Sequence, residues 1–364
     1  MRPVVNFSPG PSIVAPEVLE QAAQALRGVP DVQGLSIVEI SHRLPWFEKV
    51  VQDTEDALRR LLGVPDTHTI LFLQGGARGQ FAQVPLNWLL PGTVAAYIDT
   101  GVWARGAYED AKTLGDARIV ASSANAARGA YLELPDLSGL ELSANTAYVH
   151  TTSNNTIFGT QWPTMPTFGD LPHVSDMSSD ILSRPIDVSQ FKLIYAGAQK
   201  NAGISGLTLL FLDKAWMAAA RSDIPSIWQY RVQDAHDSMY NTPPTFAIYT
   251  TLLVCRWLEE LGGVAAIAAR NEAKAAALYA AIDGSDGFYR GCVDPRHRSK
   301  MNVTYRLPDE AAEKRFIAEA EAAGLHHLKG HRKAGGIRAS IYNALPLEGV
   351  ERLVAFMQAF RQRS

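Results

Sequence analysis

The sequence predicts an α/β protein: a large domain built on a mainly parallel, mixed sheet, followed by a small α+β domain. Three observations predict it. From about residue 15 to residue 213, helical apolar spacing alternates with short β-branched runs. Several of those runs are apolar on both faces, as strands covered by helices on each side must be. Beyond residue 262 the order changes to strands and helices that suit a small antiparallel sheet.

The elements follow in order. PEVLEQAAQALR (16–27) and WFEKVVQDTEDALRRLLG (46–63) carry apolar residues at helical spacing. Strand-like runs come next: HTILFLQ (68–74), TVAAYIDT (93–100), ARIVASS (117–123), NTAYVHTTS (145–153), HVSDMSS (173–179), FKLIYAGA (191–198) and GLTLLFLD (206–213). The segment NTPPTFAIYTTLLVCRWLEELGG opens a long helix, with Thr242 as cap, Pro243 in the first turn and Gly262 at the end. Then come a strand, MNVTYRL, and a helix, PDEAAEKRFIAEAEAAG, closed by Gly324. LHHLKGHR and GGIRASIYN read as two more strands. In the last helix, PLEGVERLVAFMQAFRQR, residues Leu347, Val350, Leu353, Val354, Met357 and Phe360 share one face. The expected division is a large domain of 16–261 and a small one of 1–15 with 262–364.

Composition narrows the function. The chain of 364 residues is 47% hydrophobic and 20% charged, with a formal net charge of −3. That charge offers no field for nucleic acid or a membrane surface, so an anion pocket must be built from local arginines. Cys255 and Cys292 form neither a CxxC pair nor a disulfide framework, which fits reduced thiols in a cytoplasmic protein. MRPVVNFSPG lacks the apolar run of a signal peptide, and no stretch is long and apolar enough to span a bilayer. His327 and His331 lack an evident third ligand, so no metal is expected.

YAGAQKNAGISG (195–206) places Lys200 among small and apolar residues at the end of a buried strand. It is either a lysine snorkelling to solvent or an amine whose desolvation frees its lone pair to attack an aldehyde. Glycines 197, 203 and 206 fit close approach to a flat ligand. Asp176 ends another strand, and strand ends of a parallel sheet share one crevice. It is either a helix cap or a carboxylate that keeps a pyridinium nitrogen protonated, as pyridoxal phosphate (PLP) requires. LQGGARGQF (73–81) puts two glycines and Arg78 between a strand and a helix, which suits a phosphate or a plain turn. It is no Walker A loop, and no G-x-G-x-x-G occurs, so a nucleotide is disfavoured. Trp103 stacks on a ring or fills the core. Thr156 bonds a cofactor or its own backbone. Arg43, Arg332 and Arg338, with His42 and His331, form a cationic set for carboxylates and phosphates, or a solvated surface.

These residues carry a resemblance. NFSPGP, EISHR, GGARGQF, SSDILSRPIDVSQF, YAGAQKNAG, SMYNTPPTFAIY, SKMNVTY, AGLHHLKGHR and GGIRASIYNALPLEGV resemble the phosphoserine aminotransferase family along nearly the whole chain. The resemblance implies a fold-type I, PLP-dependent enzyme of class V. It implies amino transfer from glutamate to 3-phosphohydroxypyruvate, and in bacterial-type members also to a phosphorylated intermediate of vitamin B6 synthesis. By the same resemblance Lys200 forms the Schiff base and shuttles the proton, Asp176 pairs with the ring nitrogen, and Trp103 stacks on the ring. Ala77 and Arg78 bind the cofactor phosphate, with Thr156 and Gln199 adding hydrogen bonds. Asn241 and Thr242 reach the phosphate of the other subunit, which implies a homodimer. Arg338 clamps the substrate α-carboxylate, and His42, Arg43, His331 and Arg332 hold the distal phosphate or carboxylate. The chain departs from the family at Pro9, at Ala77, at Asn155 and at the bulky Leu44-Pro45-Trp46. Two rivals stay open: another fold-type I enzyme, such as an alanine–glyoxylate transaminase or a cysteine desulfurase, and an inactive cofactor-binding scaffold.

Overall fold

The computed structural model describes residues 4–127 and 129–364. Residues 1–3, part of the expected small domain, lie outside the described residues. All seven predicted strand runs form: β1 (His68–Leu73), β2 (Val94–Asp99), β3 (Ala117–Ser122), β4 (Thr146–Thr152), β5 (His173–Asp176), β6 (Leu193–Gly197) and β7 (Thr208–Asp213). They make one sheet in the order β1-β7-β6-β5-β4-β2-β3. Only β7 runs against its neighbours, β6 and β1. The sheet is therefore mixed and mainly parallel, as its double-sided apolar runs predict.

Helices cover both faces. On one side α1 (Pro16–Arg27), α2 (Pro45–Leu62) and α5 (Thr245–Glu260) bury Val18, Phe47, Leu58 and Ile248 against Ile70, Ile194 and Phe211. On the other, α3 (Gly76–Trp88) and α4 (Val102–Lys112) set Phe81 and Ala107 against Tyr97, Tyr148 and Tyr195. Helix α2 stops at Gly63, whose φ of 62° is open to glycine at little cost.

A second core has its own antiparallel sheet, β8 (Arg290–Gly291), β9 (Asn302–Arg306) and β10 (Ile337–Ser340). Helices α7 (Glu310–Ala322) and α8 (Leu347–Gln362) join it. Helix α6 (Gly263–Asp283), absent from the sequence reading, packs Val264 and Ile267 into the first core and Leu278 and Ile282 into the second.

Four expectations need correction. Thr242 does not cap α5, which starts at Thr245 after Pro244. Each proline pushes the residue before it out of the helical region, so Thr242 and Pro243 stay outside. Gly262, at φ 95°, caps the start of α6 after α5 has ended at Glu260. LHHLKGHR is not a strand throughout: only Leu325–His326 is extended, pairing in parallel with Val5–Asn6, and a single bridge links Lys329 to Ile337. Leu347 sits in the first turn of α8, 37% exposed, while Val350, Leu353, Met357 and Phe360 are buried.

Candidate active site

The carboxyl ends of β1, β2, β4, β5 and β6 open on the same edge of the sheet, because these strands are mutually parallel and β7 alone is reversed. A cavity of about 380 Å³ lies there. Lys200 and Asp176 both line it, from the turn after β6 and from the last residue of β5. The lysine's main chain is fixed from a distance. Ser12 N–H donates to Gln199 O at 2.9 Å, and the Ser12 hydroxyl donates to Lys200 O. Gly10 packs so close that a Cβ there would lie 3.4 Å from Lys200 Cγ.

Electrostatics follow from this packing. Burial lowers the Lys200 amine to about 8, against the pull of the nearby Asp176, and Arg338 pushes it the same way. Burial raises the Asp176 carboxyl, while hydrogen bonds from Ser178 and the charge of Lys200 hold it back. One of those bonds is Ser178 N–H to Asp176 Oδ1 at 2.9 Å.

The wall opposite Lys200 is built by α3 and α4. Gly75 and Gly76, at φ 96° and 64°, turn the chain from β1 into α3, leaving the first N–H groups of a long helix facing the cavity beside Ala77 and Arg78. The Arg78 guanidinium lies over the Trp103 ring at 5.4 Å. Trp103 Nε1 donates to Thr156 Oγ1 at 3.0 Å, so the hydroxyl fixes the indole plane. Arg338 on β10 reaches across from the second core and donates through Nη1 to Thr156 O at 2.9 Å. Burial lowers its guanidinium below the usual range.

The cavity thus brings together Ala77, Arg78, Trp103, Thr156, Asp176, Gln199, Lys200, His331 and Arg338. His42, Arg43, Asn241, Thr242 and Arg332 do not line it. Asn241 and Thr242 sit outside the α3 turn, where Asn241 Nδ2 donates to Gln74 Oε1 at 3.3 Å and Gln74 Nε2 donates to Thr242 O at 3.0 Å. Glycines 197, 203 and 206 do not line the cavity either. A Cβ on Gly197 would strike the Gln199 side chain at 2.8 Å, and one on Gly203 would strike Thr251 Oγ1 at 2.7 Å. Gly197 and Gly203 serve packing, while Gly206, with open space around it and φ at 109°, serves the turn into β7.

The residue-by-residue sequence reading missed Thr152, Asn154, Ser178 and Ser179, which also line the cavity. The rule that singled out Asp176, position at a parallel strand's carboxyl end, applies to them equally. Asn154 Nδ2 donates to Ser179 Oγ and to Asn302 Oδ1, both at 2.8 Å, joining the main sheet's edge to β9. Of the departures, Pro9 lines the cavity and its carbonyl accepts from Tyr342 Oη at 2.9 Å. Asn155 turns away and donates to Thr100 Oγ1 at 3.1 Å.

Two buried groups lining the cavity, Thr152 Oγ1 and Arg338 Nε, have no hydrogen-bond partner among the described residues. Inside a cavity lined by charged side chains, such groups are free to bond a polar ligand. An amine, a buried acid, an indole face and a helix N-terminus match an aldehyde, a ring nitrogen, an aromatic ring and a phosphate. The residues fit PLP. Among the described residues no group of three metal-ligating side chains occurs, and no helix is long and apolar enough to cross a membrane.

The sequence pattern of the class-V aminotransferases matches residues 4–353. The chain is 50% identical over 364 residues to the phosphoserine aminotransferase of Geobacillus kaustophilus, covering 100% of this chain and 99% of the relative. The structure superposes on the phosphoserine aminotransferase from Bacillus circulans subsp. alkalophilus with a TM-score of 0.95, at 46% identity and 99% coverage of each chain. It also superposes on the PLP-bound phosphoserine aminotransferase from Trichomonas vaginalis, with a TM-score of 0.92 at 35% identity, covering 98% of this chain and 99% of that one.

Proposed function

Because the chain belongs to the class-V aminotransferases, and within them to the phosphoserine aminotransferases, we propose that it moves an amino group between L-glutamate and 3-phosphohydroxypyruvate, giving 2-oxoglutarate and O-phospho-L-serine. One observation carries the reading: Lys200, with its lowered pKa, shares a cavity with buried Asp176 and the half-satisfied Arg338.

PLP, the cofactor of this family, supplies an electron sink for the carbanion formed at the substrate's α-carbon. The chain's residues divide the remaining work. Lys200 presents a largely neutral amine above about pH 8, able to bond an aldehyde and then to take and return the α-proton. Asp176, stripped of water, keeps the ring-nitrogen proton in place by charge. Trp103, oriented by Thr156, would cover one face of the ring. Ala77, Arg78 and the opening of α3 hold the phosphate, with Gln199 beside them. Arg338 uses the guanidinium edge left free to grip the α-carboxylate common to both substrates. His331 and Arg332, with His42 and Arg43, serve the distal phosphate or carboxylate.

Asn241, Thr242, His42 and Arg43 lie outside their own chain's cavity, and large apolar side chains near them in sequence are turned to solvent. Val38 is 60% exposed, and Leu44 and Trp228 are about 40% exposed. Such surface is what a partner chain covers, and it supports a homodimer in which these residues complete the other copy's site. The division into 16–261 and 1–15 with 262–364 is supported by the two separate cores, with α6 packed on both. A cytoplasmic location fits the two unpaired cysteines.

Absorption spectroscopy tests the reading. The purified protein should show a band near roughly 410 nm that moves toward about 330 nm on adding glutamate or phosphoserine. Borohydride reduction followed by peptide mapping should place the tag on Lys200. A tag elsewhere, or no visible band, would refute the assignment.

A further inference from the structure

The loop from Lys329 to Gly336 carries His331 into the cavity and Arg332 beside it. It is held closed by its own backbone: Ala334 and Gly335 N–H donate to His331 O at 2.9 and 2.8 Å, and Gly330 N–H donates to Gly336 O at 2.8 Å. The Lys329–Ile337 bridge holds the base of the loop against β10. Its far part is held by a side chain, that of Arg306, the last residue of β9. Arg306 Nη1 donates to Ala334 O at 3.2 Å, while Nε donates to Glu313 Oε1 at 2.6 Å and Nη2 to Glu313 Oε2 at 3.4 Å. Glu313 is buried in the first turn of α7 and also accepts from Leu307 N–H at 3.4 Å. The returning leg of the loop presses on the same arginine. A Cβ on Gly336, already at φ +66°, would lie 2.5 Å from Arg306 Cδ and 2.7 Å from Tyr305 O. Arg306 itself does not line the active-site cavity.

We propose that Arg306, braced by Glu313, is a positioning residue that sets the distal, phosphate-facing end of the substrate site by fixing the His331–Arg332 loop. This rests on the functional reading above, in which His331 and Arg332 meet the distal group. The fork of the guanidinium is essential: one edge binds the carboxylate and the other reaches the loop carbonyl, which a lysine cannot do at once. The inference separates the two ends of the substrate, since the Arg338 side chain is set by its strand pairing with Thr304 and its bond to Thr156 O, not by Arg306.

Two variants of the holoenzyme test it. Arg306→Lys keeps the ion pair and loses the arm to Ala334. Glu313→Gln keeps the shape and weakens the brace. Each should raise KM for phosphoserine by about five- to tenfold, the size expected for one lost hydrogen bond of ordinary strength, and leave kcat within about twofold. PLP affinity should not change. Trypsin cleavage after Arg332 or Lys333, followed by mass spectrometry, should speed up by a similar factor while other sites keep their rates. Unchanged KM in both variants overturns the inference, whether or not cleavage accelerates. So does a fall in kcat with KM constant, which would mean a general structural loss. If wild-type protein fails to turn over phosphoserine at all, the functional reading is what has failed, and the cleavage rates alone then decide whether Arg306 places the loop.

Discussion

At the scale of single residues, the site works by stripping its charges of part of their water. Lys200 shows the consequence for stability. Its folded pKa of about 8 lies below the ordinary 10.5 because burial disfavours the cation. Between these values the unfolded chain holds a proton that the folded chain has released, so stability rises with pH across that window. Below it both states are charged, and the folded protein carries a penalty of up to about 3 kcal/mol, less the share that solvent in the cavity screens. Cofactor-free Lys200→Met should therefore resist urea better than cofactor-free wild type at about pH 7, with the gap closing above about pH 10. A gap that does not change with pH would contradict the burial argument. The same variant should lose all turnover. Arg338 and Arg332 make a second, paired prediction. Arg338→Lys should raise KM for glutamate and phosphoserine alike, each by roughly ten- to a hundredfold, because the forked contact serves the carboxylate they share. Arg332→Gln should weaken the phosphorylated substrates more than it weakens Schiff-base formation. Steady-state kinetics with both amino donors and the 410-nm-range absorption check both; equal losses throughout would remove the distal role of Arg332.

At the scale of elements, the strands were legible and their joints were not. Seven strand-like runs became the seven strands of one sheet, and those buried along their whole length, such as β1, β2, β6 and β7, are there because double-sided apolarity has no other good home. Position at the carboxyl end of such a strand was enough to find Asp176 and Lys200. The start of α5 was misjudged, since two successive prolines displaced a cap that composition alone favoured. Helix α6 escaped notice because its buried stripe, from Val264 and Ile267 to Leu278 and Ile282, is interrupted by the polar Asn271 and Lys274 and set among alanines. The segment after Gly324 looked like a strand, yet its early part pairs with Val5–Asn6 and its later part forms the His331 loop. Partners so distant in sequence leave no local pattern. The roles of the distal cations were legible only through the family resemblance. A joint also supplies the test for this scale. A Cβ at Gly101, before α4, would lie 2.2 Å from Asn155 Oδ1, a buried atom on the residue preceding Thr156. Gly101→Ala should cost about 1–3 kcal/mol through overpacking and, by shifting Thr156 and hence Trp103, weaken PLP binding. Gly63→Ala offers the contrast, for it meets nothing within 4 Å and has only its φ of 62° to pay for. It should lose about 1 kcal/mol and bind PLP normally. Urea unfolding and a fluorescence titration with PLP separate the two; equal PLP affinities would show that Asn155 does not transmit the clash.

At the scale of the whole molecule, one chain gathers an amine, an acid, a ring face, a phosphate cradle and one carboxylate clamp, but Asn241, Thr242, His42 and Arg43 do not line its cavity. If each site borrows Asn241 and Thr242 from the other copy, loss of Lys200 and loss of Asn241 must act on different sites of a mixed dimer. In a dimer of one Lys200→Ala chain and one Asn241→Asp chain, the first site lacks both groups. The second has a normal lysine from one chain and a normal asparagine from the other. Each variant alone is impaired in both of its sites, Lys200→Ala by loss of the nucleophile and Asn241→Asp by a negative charge set against the phosphate. After exchange, half the dimers are mixed and half of their sites are intact, so activity should return to about a quarter of wild type for a two-fold symmetric pair. Size-exclusion chromatography with light scattering gives the oligomer, and activity before and after exchange gives the complementation. A dimer that exchanges subunits yet recovers nothing would mean that every group the site needs comes from a single chain.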